Sequence, residues 1–372
     1  MPQSTPLNPR SRLALAAARV VMQDGYALVE HEADDLRAVA EWVDWEQTLA
    51  LRMRLDAAGL GIAEAMDTAQ RYEIGWDLAQ ALIERTGALE LRTGFVAGAG
   101  IDHATVRDLD GLVLAWSEQV ALIAGTGGVP VLLCLPELLD LAGDEDAFVR
   151  AYGRVIDASA GPVLIHWLGP SFHPGLAGYF PGDSFARVMA WDRDKVRGCK
   201  LSLLDAAHER RVRVALAPHG QAVLTGDDHH FADLILGESE GILGEVHLLG
   251  GTWPLGAFSH ALLGAFEGLH APLPRLLAAL AEGRREEARA GLLACEAFGQ
   301  VVFEPPTPAY KTGLAFRAWA NGEQTNALLP FHRERDRDRE HLSRVARAAR
   351  AAGALEDPGA ADRLASLGIT LA

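Results

Sequence analysis

The sequence predicts an α/β protein, a (β/α)8 TIM barrel with additional C-terminal helices. Helical patterns alternate with short apolar runs over most of the first 225 residues, the signature of parallel βα units. Eight strands can be counted in this way, and closing them into a barrel removes the two edges that an open sheet would have to protect. A length of 372 residues suits such a barrel with additions, and 49% apolar beside 23% charged residues is ordinary for a soluble core.

In order along the chain, residues 1–12 are polar and proline-containing and read as a flexible arm. The barrel is assigned to residues 13–256, with a first strand near Arg19 to Met22. Asp44 opens a helix that carries Leu49, Leu51 and Leu55 and stops at Gly59. An apolar run from Leu60 to Met66 follows, then a helix over 76–86, a strand near 94–98, a helix over 106–125 and a strand at Pro130 to Cys134. The alternation continues with a helix near 145–158, a strand from Pro162 to Trp167, a helix near 184–192, a strand around Lys200, one at Ala222 to Thr225 and one near Gly241. The Gly241 to Gly256 segment is long for a barrel loop and reads as a lid over the site or a subunit contact. Residues 257–372 are almost wholly helical in pattern and form an extension packed on the barrel.

A net charge of −16 argues against a nucleic-acid or anionic-membrane partner, since both need a basic footprint. Cys134, Cys199 and Cys295 lie far apart among apolar residues, which suggests buried thiols in a reducing cytoplasm. No stretch of about 18 uncharged apolar residues appears, so neither a membrane span nor a secretory signal is expected.

The Lys200 strand carries the chemistry. Lysine occurs only at 195, 200 and 311 in a chain rich in arginine. Arginine cannot form an imine, whereas lysine can. At strand period Gly198, Lys200 and Ser202 face one way and Cys199, Leu201 and Leu203 the other, which aims the amine into a barrel mouth. The local residues alone fit equally an ordinary lysine that reaches back to water.

The strings AEAMDTAQ, HWLG, KLSLLD, TGDD and PTPAYKTG, in this order and at barrel-sized spacing, resemble the dihydrodipicolinate synthase and N-acetylneuraminate lyase superfamily. More closely the chain resembles its branch called domain of unknown function 993. The resemblance spans about residues 15–370. It implies that Lys200 matches the sixth-strand lysine that forms a Schiff base with a ketone or 2-keto acid. It also implies that His166 occupies the place of a proton-shuttling tyrosine, where an imidazole can act as acid and base.

The second-strand loop departs from that pattern. Characterised relatives hold a substrate carboxylate with a Gly-Thr-Thr-Gly-Glu type loop, and the aligned stretch here is Met66-Asp67-Thr68-Ala69-Gln70. Thr68 can still donate, but an ionised Asp67 facing the site would repel a carboxylate. Glu64 and Asp67 would instead accept hydroxyls, which favours a carbohydrate-derived carbonyl compound. Ser202, Gly226, Asp227 and Asp228 complete the expected substrate contacts, Gly226 by letting backbone approach the ligand. Lys311 is assigned to stabilising the C-terminal helices, and Asp102 to a turn.

These readings lead to a lyase or aldolase acting on a small keto compound through Lys200 and His166. No cofactor is expected beyond the covalent imine. Asp227, Asp228, His229 and His230 raise a metal as a less favoured reading, because strand neighbours point to opposite faces. A hydro-lyase or isomerase using the same lysine, a metal-dependent barrel enzyme and a non-catalytic sugar-binding protein stay open as alternatives. The expected partners are a keto substrate and further copies of the same chain in a homo-oligomer.

Overall fold

The protein is described from a computed structural model over residues 12–27, 36–239 and 241–371. Its strands are β1 Ala14–Ala17, β2 Gly61–Glu64, β3 Phe95–Ala99, β4 Val129–Leu132, β5 Val163–Leu168, β6 Val196–Ser202, β7 Ala222–Thr225, β8 Ile242–Leu248, β9 Gly251–Gly256 and β10 His260–Leu263. Eight of them close a parallel barrel in the order β1, β10, β7, β6, β5, β4, β3, β2. The remaining two, β8 and β9, form an antiparallel hairpin outside it.

Strand alternation sorts the side chains into two cores. Leu15, Ala63, Val96, Val131, Leu164, Leu224 and Leu262 fill the lumen. Their neighbours Ala16, Ile62, Ala97, Leu132, Ile165, Val223 and Leu263 face the surrounding helices. Several helices begin where an aspartate satisfies an otherwise orphaned backbone N–H. Asp44 accepts from Gln47 N at 2.9 Å to open Trp45–Ala57, Asp144 accepts from Ala147 N at 2.7 Å to open Glu145–Ala158, and Asp205 accepts from His208 N at 2.9 Å to open Ala206–Leu216.

The barrel departs from the expected boundaries at both of its seams. The first strand is Ala14–Ala17 and not Arg19 to Met22. Its alanines read as helix formers, yet small side chains fit the crowded seam with β2 and β10. Arg19, just beyond it, is buried against Glu267 at 2.6 Å.

The eighth barrel strand is β10, which pairs with β1 and β7, so the barrel runs past residue 256 and the C-terminal helices begin with Leu273–Ala281. The segment near Gly241 became a hairpin because β10 already fills the place it would have taken. The expectation for residues 1–11 lies outside the described residues; Arg12 is buried, with its guanidinium 3.4 Å over the Phe258 ring.

The hairpin also corrects the lid reading of residues 241–256. Val246, Leu248 and Leu255 join Leu13, Val129 and Ala222 in the lumen core, and Leu249 at the turn packs against Gly61 and Gly94. Those partners stand at the N-terminal ends of their strands, so the hairpin plugs the bottom of the barrel. The C-terminal ends are left to the loops and to the segment around Tyr310.

Candidate active site

The β5–β6 register places His166 beside Lys200, and the β6–β7 register places Lys200 beside Leu224. All three point into the lumen at its C-terminal end, where barrel active sites gather. Two glycines make the approach possible. A β-carbon at Gly198 would meet Ala222 O at 2.2 Å, so only glycine lets β6 and β7 close there. A β-carbon at Gly226 would stand 2.9 Å from Lys200 Cε and 2.2 Å from Ser202 Oγ. Gly226 therefore clears the space that the lysine stem occupies, and its own N–H donates to Leu201 O at 2.7 Å.

Lys200, His166, Ser202, Asp67, Thr68, Gly226 and Asp228 line one cavity of about 180 Å³. These are seven of the nine site residues expected from sequence. The half-buried Lys200 amine has no hydrogen bond or ion pair within 4 Å among the described residues. Burial pulls its pKa down from the ordinary lysine range, and the charges of Asp228 and Asp67 oppose that pull. Asp228 responds in the opposite sense. Burial pushes its pKa up to about 7, against the Ala265 N–H that donates to Oδ1 at 2.9 Å and the nearby Lys200 charge. The lysine and the aspartate are thus each shifted toward their neutral forms by burial, while each one's charge favours the charged form of the other.

His166 is buried with Nε2 3.3 Å from Ser202 Oγ and Nδ1 without a partner. Burial first, and the Lys200 charge second, keep its pKa well below the usual imidazole value, so the ring is neutral at pH 7. Cys134 beside it is inert, because its Sγ donates to His166 O at 3.1 Å and accepts from Leu168 N at 3.3 Å while burial pushes its pKa up to about 12.

Opposite the lysine, the second-strand loop meets the C-terminal segment. Thr68 Oγ1 and Tyr310 Oη are 2.7 Å apart, and Tyr310 stacks on Phe303 with ring centroids 4.1 Å apart. Burial holds the Tyr310 hydroxyl protonated well above the ordinary phenol range. Lys311 Nζ reaches Asp67 Oδ2 at 3.0 Å. The Asp67 charge is therefore balanced by a buried ammonium, and Lys311 secures the C-terminal helix to the cavity wall.

Two expected site residues face elsewhere. Glu64 points outward from β2, where Arg52 Nε and NH2 donate to its two oxygens at 2.8 Å each, Thr86 Oγ1 at 2.7 Å and Ala65 N at 2.8 Å. It has no oxygen left for a substrate, because the inward position on that strand belongs to Ala63. Asp227 turns away from the lumen to accept from His229 N at 3.0 Å and to meet His230 Nδ1 at 2.9 Å, while Asp228 turns inward. The adjacent aspartates diverge in the turn that follows β7, beyond the strand itself. Asp102 stands in a turn as expected, and there it receives Arg71 Nε at 3.0 Å and NH2 at 2.8 Å.

Sequence reasoning missed the contribution of Phe303, Thr307, Pro308 and Tyr310, which line the cavity from beyond the barrel. The signal was present as a proline-rich run interrupted by aromatics ahead of a helix, a composition that fits a shaped loop better than a linker.

The family described as a protein of unknown function, DUF993, matches residues 2–370. No curated protein matches the sequence. Solved structures of similar fold include a dihydrodipicolinate synthase from Agrobacterium tumefaciens, at 19% identity and a TM-score of 0.60, covering 93% of this chain and 99% of that one. A dihydrodipicolinate synthase from Bacteroides thetaiotaomicron shares 15% identity at a TM-score of 0.61, covering 91% and 99%. An N-acetylneuraminate lyase from Fusobacterium nucleatum shares 11% identity at a TM-score of 0.59, covering 92% and 98%. At these identities the likeness shows the fold.

Proposed function

We propose that this chain, which belongs to the DUF993 family, is a Schiff-base-forming lyase or aldolase acting on a small keto compound through Lys200. The observation that carries the proposal is a half-buried, unpartnered amine at the C-terminal mouth of the barrel, with a carboxyl group of raised pKa and a neutral imidazole around it. The fold it shares with the synthases and the lyase named above gives the reading its context.

In this reading each step has a residue to serve it. Burial favours the neutral amine that attack requires, and the attack forms a C–N bond to the substrate carbonyl carbon. The carbinolamine hydroxyl leaves as water after taking a proton, for which the Asp228 carboxylic acid is poised. The resulting iminium withdraws the electron pair of an adjacent C–C or C–H bond as that bond breaks. His166, neutral and hydrogen-bonded to Ser202, is the base that accepts the released proton. The bond's electron pair leaves an enamine, whose carbon takes a proton back from the His166 imidazolium to regenerate an iminium. Water then adds to that iminium, the carbonyl product leaves, and the Lys200 amine is restored.

Borohydride added during incubation with a panel of keto acids and ketones tests the reading. The reduced adduct is expected on the peptide containing Lys200, seen as added substrate mass. A compound that is turned over yet leaves no adduct overturns the mechanism.

A further inference from the structure

The lysine cavity is not the end of the depression. A second, larger chamber of about 590 Å³ opens from it above the ends of β3, β4 and β5, and the two share Tyr72, Cys134, Leu168 and His173 as their common neck. A cavity of about 180 Å³ around Lys200 has the scale of a small keto compound, and the chamber extends the depression well beyond it. We infer that this chamber is a second substrate subsite, one that receives an uncharged apolar or aromatic arm attached to the carbonyl group held at Lys200. The inference rests on the imine reading for the position of that carbonyl.

The walls name the class of ligand. Ile101, Val106, Leu135, Pro136 and Leu176 supply apolar surface, and burying a side arm against it is favourable in proportion to the area removed from water. Among the described residues no ammonium or guanidinium lines the chamber to pair with an anionic arm. The guanidinium at the junction, Arg71, spends all five of its N–H groups inside the protein, on Asp102 twice, Ala65 O, Gly98 O and Gln119 Oε1. The carboxylates are of the wrong sign for an anion: Asp102 is closed by Arg71 and Gln119, and Glu137 stands exposed at the rim. A polyhydroxylated arm meets few side-chain partners: the Cys134 thiol in the neck is already donating to His166 O and accepting from Leu168 N, which leaves chiefly the Tyr72 and Thr105 hydroxyls and His173 against a mostly apolar wall. The predominance of apolar side chains in the lining favours an apolar or aromatic arm.

Binding of 4-phenylbutan-2-ol and butan-2-ol to the full chain isolates the subsite, because neither alcohol can form an imine. The phenyl compound is expected to bind at least about tenfold tighter, the scale on which an apolar pocket rewards added carbon. That preference should survive Lys200→Ala. It should fall at least about fivefold in Ala104→Trp and in Val106→Trp, two incompletely buried lining positions where a larger ring fills the chamber without opening the core. Equal binding of the two alcohols by the wild type overturns the inference, as does a preference that persists in both filled variants. Tighter binding of 5-hydroxyhexanoate than of the phenyl alcohol overturns it as well.

Borohydride trapping with butan-2-one and 4-phenylbutan-2-one separates this result from the lysine chemistry. A phenyl preference in binding with no adduct on Lys200 upholds the subsite and sinks the imine. Adducts that saturate at the same concentration of either ketone uphold the imine and sink the subsite.

Discussion

Glu64 on the outer face of β2 and Lys200 on the inner face of β6 are both ionisable groups inserted into strands of one barrel, and they are treated in opposite ways. Glu64 receives four hydrogen bonds, two of them from a guanidinium that is itself fully buried. Lys200 receives none among the described residues and faces a void. The first arrangement satisfies a charge and fixes the packing of helix Trp45–Ala57 on the wall. The second leaves an amine dissatisfied in water-poor surroundings, which is costly for folding and useful for chemistry. The two ends of the lumen repeat the contrast. Hairpin β8–β9 packs Val246, Leu248 and Leu255 into the bottom, whereas the top keeps Lys200, His166 and Asp228 around an open cavity. Buried charge by itself does not mark a site; buried charge without its complement does.

The largest effect expected from this contrast is in Lys200→Met. Turnover and the borohydride-trapped adduct should fall by at least about 10³-fold, as when a nucleophile is removed outright. Stability should be unchanged or raised, because an unpaired buried amine gives way to an apolar chain. Thermal unfolding beside the trapping assay checks both. A variant that keeps the adduct would place the imine on another lysine.

Glu64→Ala should do the reverse. Leaving Arg52 buried without its carboxylate should destabilise the fold by about 3–5 kcal/mol in denaturant titration. The fraction that stays folded should still form the Lys200 adduct. At the bottom of the barrel, Leu248→Ala should cost about 2–4 kcal/mol through the cavity it leaves, again with the adduct intact. Loss of adduct formation in well-folded Leu248→Ala protein would show that the plugged end communicates with the open one, and would break the comparison.

The βα rhythm was legible in the sequence because each unit carries its own local signal. The Asp44 cap, the apolar run after Gly94 and the alternation around Lys200 all reappear in the structure at nearly the expected residues. The two ends of the barrel were not legible, because closure is a nonlocal event. Ala14–Ala17 and His260–Leu263 look helical by composition and become strands only where they meet each other. The same division holds in the site. Strand parity puts Lys200 and Ser202 on one face of their strand, and the resemblance named His166 beside them; the structure turns all three toward the cavity. Glu64 was misplaced by motif, when parity from Ala63 already turned it outward. Tyr310 lies 242 residues from its partner Thr68, and no periodicity carries information over that distance.

The Thr68–Tyr310 contact gives a smaller test. Tyr310→Phe removes one hydroxyl and keeps the ring stacked on Phe303, so a stability loss of about 0.5–1.5 kcal/mol is expected by thermal or chemical unfolding. A larger loss would mean that the C-terminal segment depends on this bond for its place on the cavity.

The smallest expected effect is also the one whose sign is most informative. The Asp228 charge raises the Lys200 pKa while burial lowers it, so the carboxylate favours the ammonium and opposes the attacking form. Asp228→Asn removes that charge and keeps the shape. More amine is then neutral at a given pH, and the midpoint of adduct formation against pH should move to lower pH. The maximal rate should drop in the same variant, because the amide cannot supply the proton that takes the carbinolamine hydroxyl off as water. Trapping rates measured across neutral and alkaline pH in both proteins separate the two contributions. An unmoved midpoint would mean that Asp228 does not sense the lysine, and a midpoint displaced to higher pH would mean that burial alone does not hold the amine neutral. A lower midpoint together with a lower ceiling requires a carboxyl group that both tunes the nucleophile and serves it as an acid.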